Sequence, residues 1–112
     1  MSARLLDAAE LAAPPAAPVA VVRLASVDAI HSIVAQSYGV SLDELLSRDR
    51  HKTLVEARQV VMWFLRERGY SLPEIGRLVG GRDHTTVMAA LAKLRRRPEI
   101  LDRAAARLER LR

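Results

Sequence analysis

"SLPEIGRLVGGRDHTTVMAALAKL", Ser71 to Leu94, sets two apolar helical runs on either side of a glycine pair, and its reading decides the fold. Ser71 followed three positions later by Glu74 has capping-box form, in which the hydroxyl accepts from a first-turn amide and the glutamate reaches back to the cap amide. A helix should therefore start after Ser71. It should stop before Gly80, because glycine takes the left-handed conformation that closes a helix at little cost. Beyond a turn over Val79 to Arg82, Val87, Ala90, Leu91 and Leu94 recur at three- and four-residue spacing. They face a core and leave the first turn of this second helix to project outward. A short helix, a glycine turn and a second helix with one apolar face form a helix-turn-helix pattern.

The same punctuation recurs upstream. Ser41 with Glu44 and Thr53 with Glu56 repeat the capping-box spacing, and Gly39 and Gly69 fall where preceding helices should end. Pro98 suits the first turn of a last helix. The spacing predicts helices near 27–37, 42–47, 54–68, 73–79, 84–95 and 98–110, with no two-residue alternation that would mark a strand. The fold class is all-α. Its expected core takes Ile30, Ile33, Val34, Leu42, Leu45, Leu46, Ala57, Val61, Phe64, Leu65, Ile75 and Leu78, continued by the four apolar residues of the second helix. Met62 and Trp63 sit in a nearly all-apolar stretch and read as packing residues rather than a cofactor box.

Composition bounds the function. A chain of 112 residues suffices for one small domain and not for a second core. With no cysteine, disulfides, thiolate metal sites and cysteine nucleophiles are excluded together, and His31, His51 and His84 lie too far apart for a local ligand pair. No metal and no cofactor is expected. The 18 Lys+Arg exceed the 13 Asp+Glu by five. Residues 1–24 hold Arg4, Arg23, Asp7 and Glu10, which cancel, so the whole excess lies in the helical part. A basic domain of this size points to a polyanion, nucleic acid first and an anionic membrane surface second; a merely solvated basic face is the bland alternative. No apolar run approaches the ~20 residues of a membrane span, so a soluble, cytoplasmic protein without a membrane partner is expected. "LAAPPAAPVAVV" is preceded by Asp7 and Glu10 and broken by three prolines, which argues against a secretory signal. Residues 1–25 read as a flexible tail, with room for a short helix over 3–12, and residues 26–112 as the domain.

The outward first turn of the second helix carries polar groups suited to a base edge. Asp83 can accept from a cytosine amino group, His84 and Thr85 can donate to base or phosphate acceptors, and the Thr86 methyl can pack on a thymine methyl. Arg82 is a phosphate or guanine donor. By residue type alone, Asp83 could equally cap the helix while the threonines fill its first turn, or do both.

Ser71 to Leu94, with Gly-Gly-Arg-Asp-His-Thr-Thr-Val at its centre, closely resembles the C-terminal DNA-binding domain of the bacterial replication initiator DnaA. The resemblance runs upstream through "IHSIVAQSYGVSLDELLSRDRHKTLVEARQVVMWFLRERGYSLPEIG" and so covers about Val27 to Leu94. It implies a Trp-repressor-like helix-turn-helix that reads a nine-base-pair DnaA box in double-stranded DNA, at the nucleoid. In that family an arginine before the long helix enters the minor groove, matching Arg50, and an arginine and glutamine near the start of that helix lie close to DNA, matching Arg58 and Gln59. Asp83, His84, Thr85 and Thr86 match the major-groove readers, with Arg82 and Lys93 as backbone contacts.

The chain departs from the family in three ways. Glu56 stands where initiators carry a phosphate-facing arginine, which suggests weaker affinity, and Ala89 stands where they often carry histidine. The motif Gly-x-x-x-x-Gly-Lys-Ser/Thr is absent from these residues, so the expectation is a DNA reader without its ATPase module. Two classes of role follow. One is a regulator of replication initiation or transcription acting at DnaA-box-like sites; the other is a protein-interaction module that engages the initiator or its regulatory inactivator by mimicking the initiator's C-terminal domain. An enzyme is not expected, since Asp83 and His84 are adjacent on a helix and no serine or cysteine nucleophile lies within the motif.

Overall fold

Among residues 25–111, which a computed structural model describes, every regular element is a helix. They are α1 (Val27–Tyr38), α2 (Leu42–Leu46), α3 (Lys52–Glu67), α4 (Leu72–Leu78), α5 (His84–Arg96) and α6 (Pro98–Glu109). The tail expected over residues 1–25, with its candidate helix, lies outside the described residues except for Ala25, which packs against the core. No helix among the described residues is long and apolar enough to cross a membrane.

Local chemistry sets most of the boundaries. Both halves of the box at Ser41 and Glu44 form, at 3.0 Å each, and so do both at Ser71 and Glu74, at 2.8 and 3.3 Å. α1 begins at Ser26, whose hydroxyl accepts from the Ala29 amide. The third expected box does not exist. α3 starts one residue ahead of Thr53, with His51 as its cap and the ring Nδ1 accepting from the Thr53 amide at 3.3 Å. Thr53 is inside the helix, and Glu56 is drawn to partners on two other helices.

α3 is the central helix, packed by all five of the others. It is accordingly buried on most of its circumference, through Leu54, Ala57, Val60, Val61, Met62, Phe64 and Leu65. α1 adds Ile30, Val34, Ala35 and Tyr38, α5 adds Val87, Ala90, Leu91 and Leu94, and α6 closes the far side with Ile100, Ala104 and Leu108. Trp63 is half-buried, with the Arg95 guanidinium 5.9 Å from its ring centroid. Two expected core residues are not core: Leu42 and Leu46 are 43% and 39% exposed. A five-residue helix makes too few turns to bury a whole face, and only Leu45 reaches the interior. Ile33 and Leu78 are half-buried rather than enclosed.

α4 and α5 form the helix-turn-helix. Gly80 and Gly81 both take positive φ, 78° and 74°, which turns the chain between the helices at a place where a side chain would be strained. The Arg82 amide then bonds back to the Gly76 carbonyl at 2.7 Å, and a Cβ on Gly76 would run into the Arg82 carbonyl. Buried His31 sets Nδ1 2.9 Å from the Val27 carbonyl and Nε2 2.9 Å from that of Leu78, fastening α1 to the end of α4. Orientation of the motif is thus fixed by packing and by backbone contacts together.

Candidate nucleic-acid interface

α5 presents two exposed surfaces that follow from its period. Thr86, Ala89, Lys93 and Arg96 recur at spacings of three and four, so they form one stripe along the helix. His84, Thr85 and Met88 lie beside it and are exposed as well. The stripe forms one wall of an open groove of about 600 Å³, whose other wall is the segment before α3 together with Val55, Arg58 and Gln59 of that helix. Six cationic side chains line the groove, namely Arg48, Arg50, Arg58, Arg82, Lys93 and Arg96, and no acidic one does. Such a concentration of one sign between low-dielectric walls focuses the field on an incoming anion.

The first turn of α5 has its own chemistry. Asp83 stands at the cap position, but its carboxylate accepts no capping bond from the helix amides. Its Oδ2 accepts from the Thr85 hydroxyl, and its Oδ1 lies 3.4 Å from His84 Nδ1. The Thr85 hydroxyl bond is the chief cause that holds the Asp83 carboxyl below its usual range. Asp83 and His84 remain well exposed, at 66% and 52% of their side chains, so the row of polar groups is ordered and open to a partner.

The residues expected to meet DNA divide into two sets. Arg50 is exposed and Lys93 half-buried on the groove, and neither has a side-chain hydrogen bond or ion pair among the described residues. Gln59 faces the groove too, and its Oε1 is buried with no hydrogen-bond partner. Arg58 is different. It is 4% exposed, and its guanidinium donates to the carbonyls of Leu45 at 2.6 Å, Asp49 at 2.5 Å and Glu44 at 3.0 Å, and to Ser47 Oγ at 3.3 Å. Arg82, half-buried, donates to the Ser47 carbonyl at 2.6 Å and the Val79 carbonyl at 2.7 Å. Burial lowers the pKa of both, and the nearby charges of Arg58 and Arg48 lower that of Arg82 further.

Two groove residues, Arg48 and Arg96, escaped the sequence reading. Arg96 was legible, since it continues the Thr86–Lys93 stripe by one turn; Arg48 was not, because the loop that carries it is placed by contacts from distant residues. Glu56 is bonded away from the groove. Its carboxylate accepts from the Tyr38 hydroxyl at 2.7 Å and from Arg103 at 2.6 and 3.3 Å, and it does not line the groove. Burial alone would raise its pKa, but the bonds from Arg103 and Tyr38 outweigh that and hold it low. The substitution therefore docks α6 and places no free negative charge in the groove.

Comparison with known proteins agrees with this architecture. The family described as "Bacterial dnaA protein helix-turn-helix" matches residues 27–94. The chromosomal replication initiator protein DnaA of Chloroflexus aggregans is 47% identical over 73 residues, which are 64% of this chain and 15% of that protein. The DnaA of Mesorhizobium japonicum is 51% identical over 69 residues, 61% of this chain and 14% of its own length. That of Brucella abortus biovar 1 is 49% identical over the same number, with the same shares. The chain thus spans about 15% of the length of these relatives.

Proposed function

The chain belongs to the bacterial DnaA helix-turn-helix family, and from that premise we propose that it binds double-stranded DNA sequence-specifically at DnaA-box-like sites and so regulates chromosome replication initiation. Residues 26–112 form the binding unit in this reading, since α6 supplies part of the core. α5 enters the major groove, where Asp83, His84, Thr85 and Thr86 meet base edges. Arg50 enters the adjacent minor groove. Lys93, with Arg48 and Arg96, meets phosphates, and Gln59 offers its unpaired oxygen to the same interface. No ATPase activity is assigned to these residues, and a chromosomal partner places the protein in the cytoplasm at the nucleoid.

The single observation that carries this reading is the groove walled by six cations and no anion, set between the Arg50 loop and the exposed first turn of α5. The other reading, a module that engages the initiator or its regulatory inactivator, draws on the loss of a phosphate-facing arginine at Glu56 and on the separate N-terminal tail. Glu56, bonded to Tyr38 and Arg103, sets no free negative charge against DNA, although the arginine's cation is still absent there. A cellular test separates the two. Overproducing the wild-type chain should shift replication timing, and the combined variant His84→Ala and Thr85→Ala, which spares the core residues Val87, Ala90 and Leu91, should not. A folded variant that fails to bind boxes yet still shifts initiation would overturn the DNA reading.

A further inference from the structure

Arg58 and Arg82 carry the charge and the groove position of DNA contacts, but their hydrogen bonds point inward. We infer that both are positioning residues, which clamp the segment from Glu44 to Asp49 so that Arg48 and Arg50 are held in register with α5. The inference rests on the proposed DNA reading for its consequence, though not for the clamp itself.

The clamp begins at the C-terminus of α2. A helix leaves its last carbonyls without intrahelical partners and with partial negative charge, and a helix as short as α2 offers no continuation to satisfy them. Arg58 supplies the donors. Four of the five N–H groups of a guanidinium are accounted for by the carbonyls of Glu44, Leu45 and Asp49 and by Ser47 Oγ. Burying the charge is compensated because the acceptors are carbonyl dipoles turned toward it. A phosphate would have to displace these bonds to reach a side chain that is 4% exposed.

Ser47 is the hub of the segment. Its hydroxyl donates to the Glu44 carbonyl at 2.7 Å and accepts from the Asp49 amide at 3.2 Å, while Asp49 Oδ1 accepts from the His51 amide at 2.9 Å. Its carbonyl accepts from Arg82 at 2.6 Å. Arg82 sits in the turn of the helix-turn-helix and also holds the Val79 carbonyl there. Arg48 completes the tie by reaching the Gly81 carbonyl at 3.4 Å. One rigid unit therefore contains the Arg50 loop, the α4–α5 turn and the start of α3, and the spacing between a minor-groove arginine and a major-groove helix is set by these bonds.

The test is a double-mutant cycle joined to hydrogen exchange on the free protein. Arg58→Lys keeps a cation but loses the planar fork that spans several acceptors. On a box duplex it should weaken binding about tenfold in the wild-type background and less than about twofold when Arg48 and Arg50 are both already alanine, because the clamp acts through those two side chains. Without DNA, the amides of Asp49 and His51 should exchange at least about tenfold faster in Arg58→Lys, with those of Val61 and Leu65 unchanged. Equal losses in both backgrounds would identify Arg58 as a direct phosphate contact and overturn the inference, as would unchanged exchange at Asp49 and His51. Arg82→Lys runs the same cycle and decides the matter where Arg58→Lys does not fold. Wild-type protein with no preference for the box would sink the DNA reading alone, and the exchange rates would still decide the clamp.

Discussion

The Arg103 guanidinium of α6 lies 2.6 Å from Glu56 Oε1 in α3, 47 residues away in the chain, and with it the last helix is latched to the central one. Tyr38 of α1 donates to the same carboxylate, and Arg107 of α6 lies over the Tyr38 ring at 4.5 Å. Burial, and then the bond to Glu56, push the Tyr38 phenol up, which favours the protonated hydroxyl that donates to Glu56. Three helices thus meet at one carboxylate.

Removing that charge should be measurable. Glu56→Gln should cost about 1–2 kcal/mol near neutral pH, the lower part of the range for charge-assisted bonds because Arg103 is half exposed. The folded Glu56 pKa lies below its ordinary 4.5, so its contribution is fully present above that value and is lost as pH falls through the lower folded value. Urea midpoints of wild type and Glu56→Gln should therefore converge below about pH 4.5. A constant gap down to the acid transition would contradict the assignment.

Gly76→Ala sets two effects against each other. Alanine in a helix gains about 0.5–1 kcal/mol over glycine, whereas forcing a methyl into a packed backbone costs about 1–3 kcal/mol. Because the obstacle is the Arg82 carbonyl and not a movable side chain, the clash should win. A net loss of about 1–2 kcal/mol in urea denaturation is expected. A gain in stability would show that α4 and the turn are not in the contact described.

Base readout should be separable from folding at the start of α5. His84→Ala or Thr85→Ala should lose ~1–3 kcal/mol on a box duplex and much less on scrambled DNA, with melting temperature nearly unchanged since both side chains are exposed. Equal losses on both duplexes would count against base contact.

Phosphate contacts leave a different signature. Lys93→Ala should weaken binding to every sequence and reduce the slope of log affinity against log salt by about one unit, because one fewer counterion is released. Arg50→Ala should instead hurt A·T-rich boxes most, since a narrow minor groove is what attracts an inserted arginine. An unchanged ranking of A·T-rich and G·C-rich variants would remove Arg50 from the minor groove.

The fold was legible where the signal was local. Ser41 with Glu44, Ser71 with Glu74, and the turn glycines fix backbone at short range, and the apolar spacing of Val87 to Leu94 fixes which face of α5 is buried. Thr53 with Glu56 has the same spacing and failed, because Tyr38 and Arg103 from distant helices offer Glu56 better bonds than a helix end does. Arg58 shows the same limit in the groove: nothing in its neighbours in sequence announces that four acceptors between Glu44 and Asp49 will surround it. Leu42 and Leu46 look like core by period, yet a five-residue helix cannot bury both.

The central claim is sequence-specific reading of DNA by α5 and the Arg50 loop, and one titration tests it most directly. Wild-type protein should be measured against a box-containing duplex and a scrambled duplex of equal length, at two salt concentrations. Affinity for the box should exceed that for the scrambled duplex by at least ~10³, with both falling as salt rises. Equal affinity for the two duplexes, with the same salt dependence, would leave the groove a general polyanion surface and contradict the account.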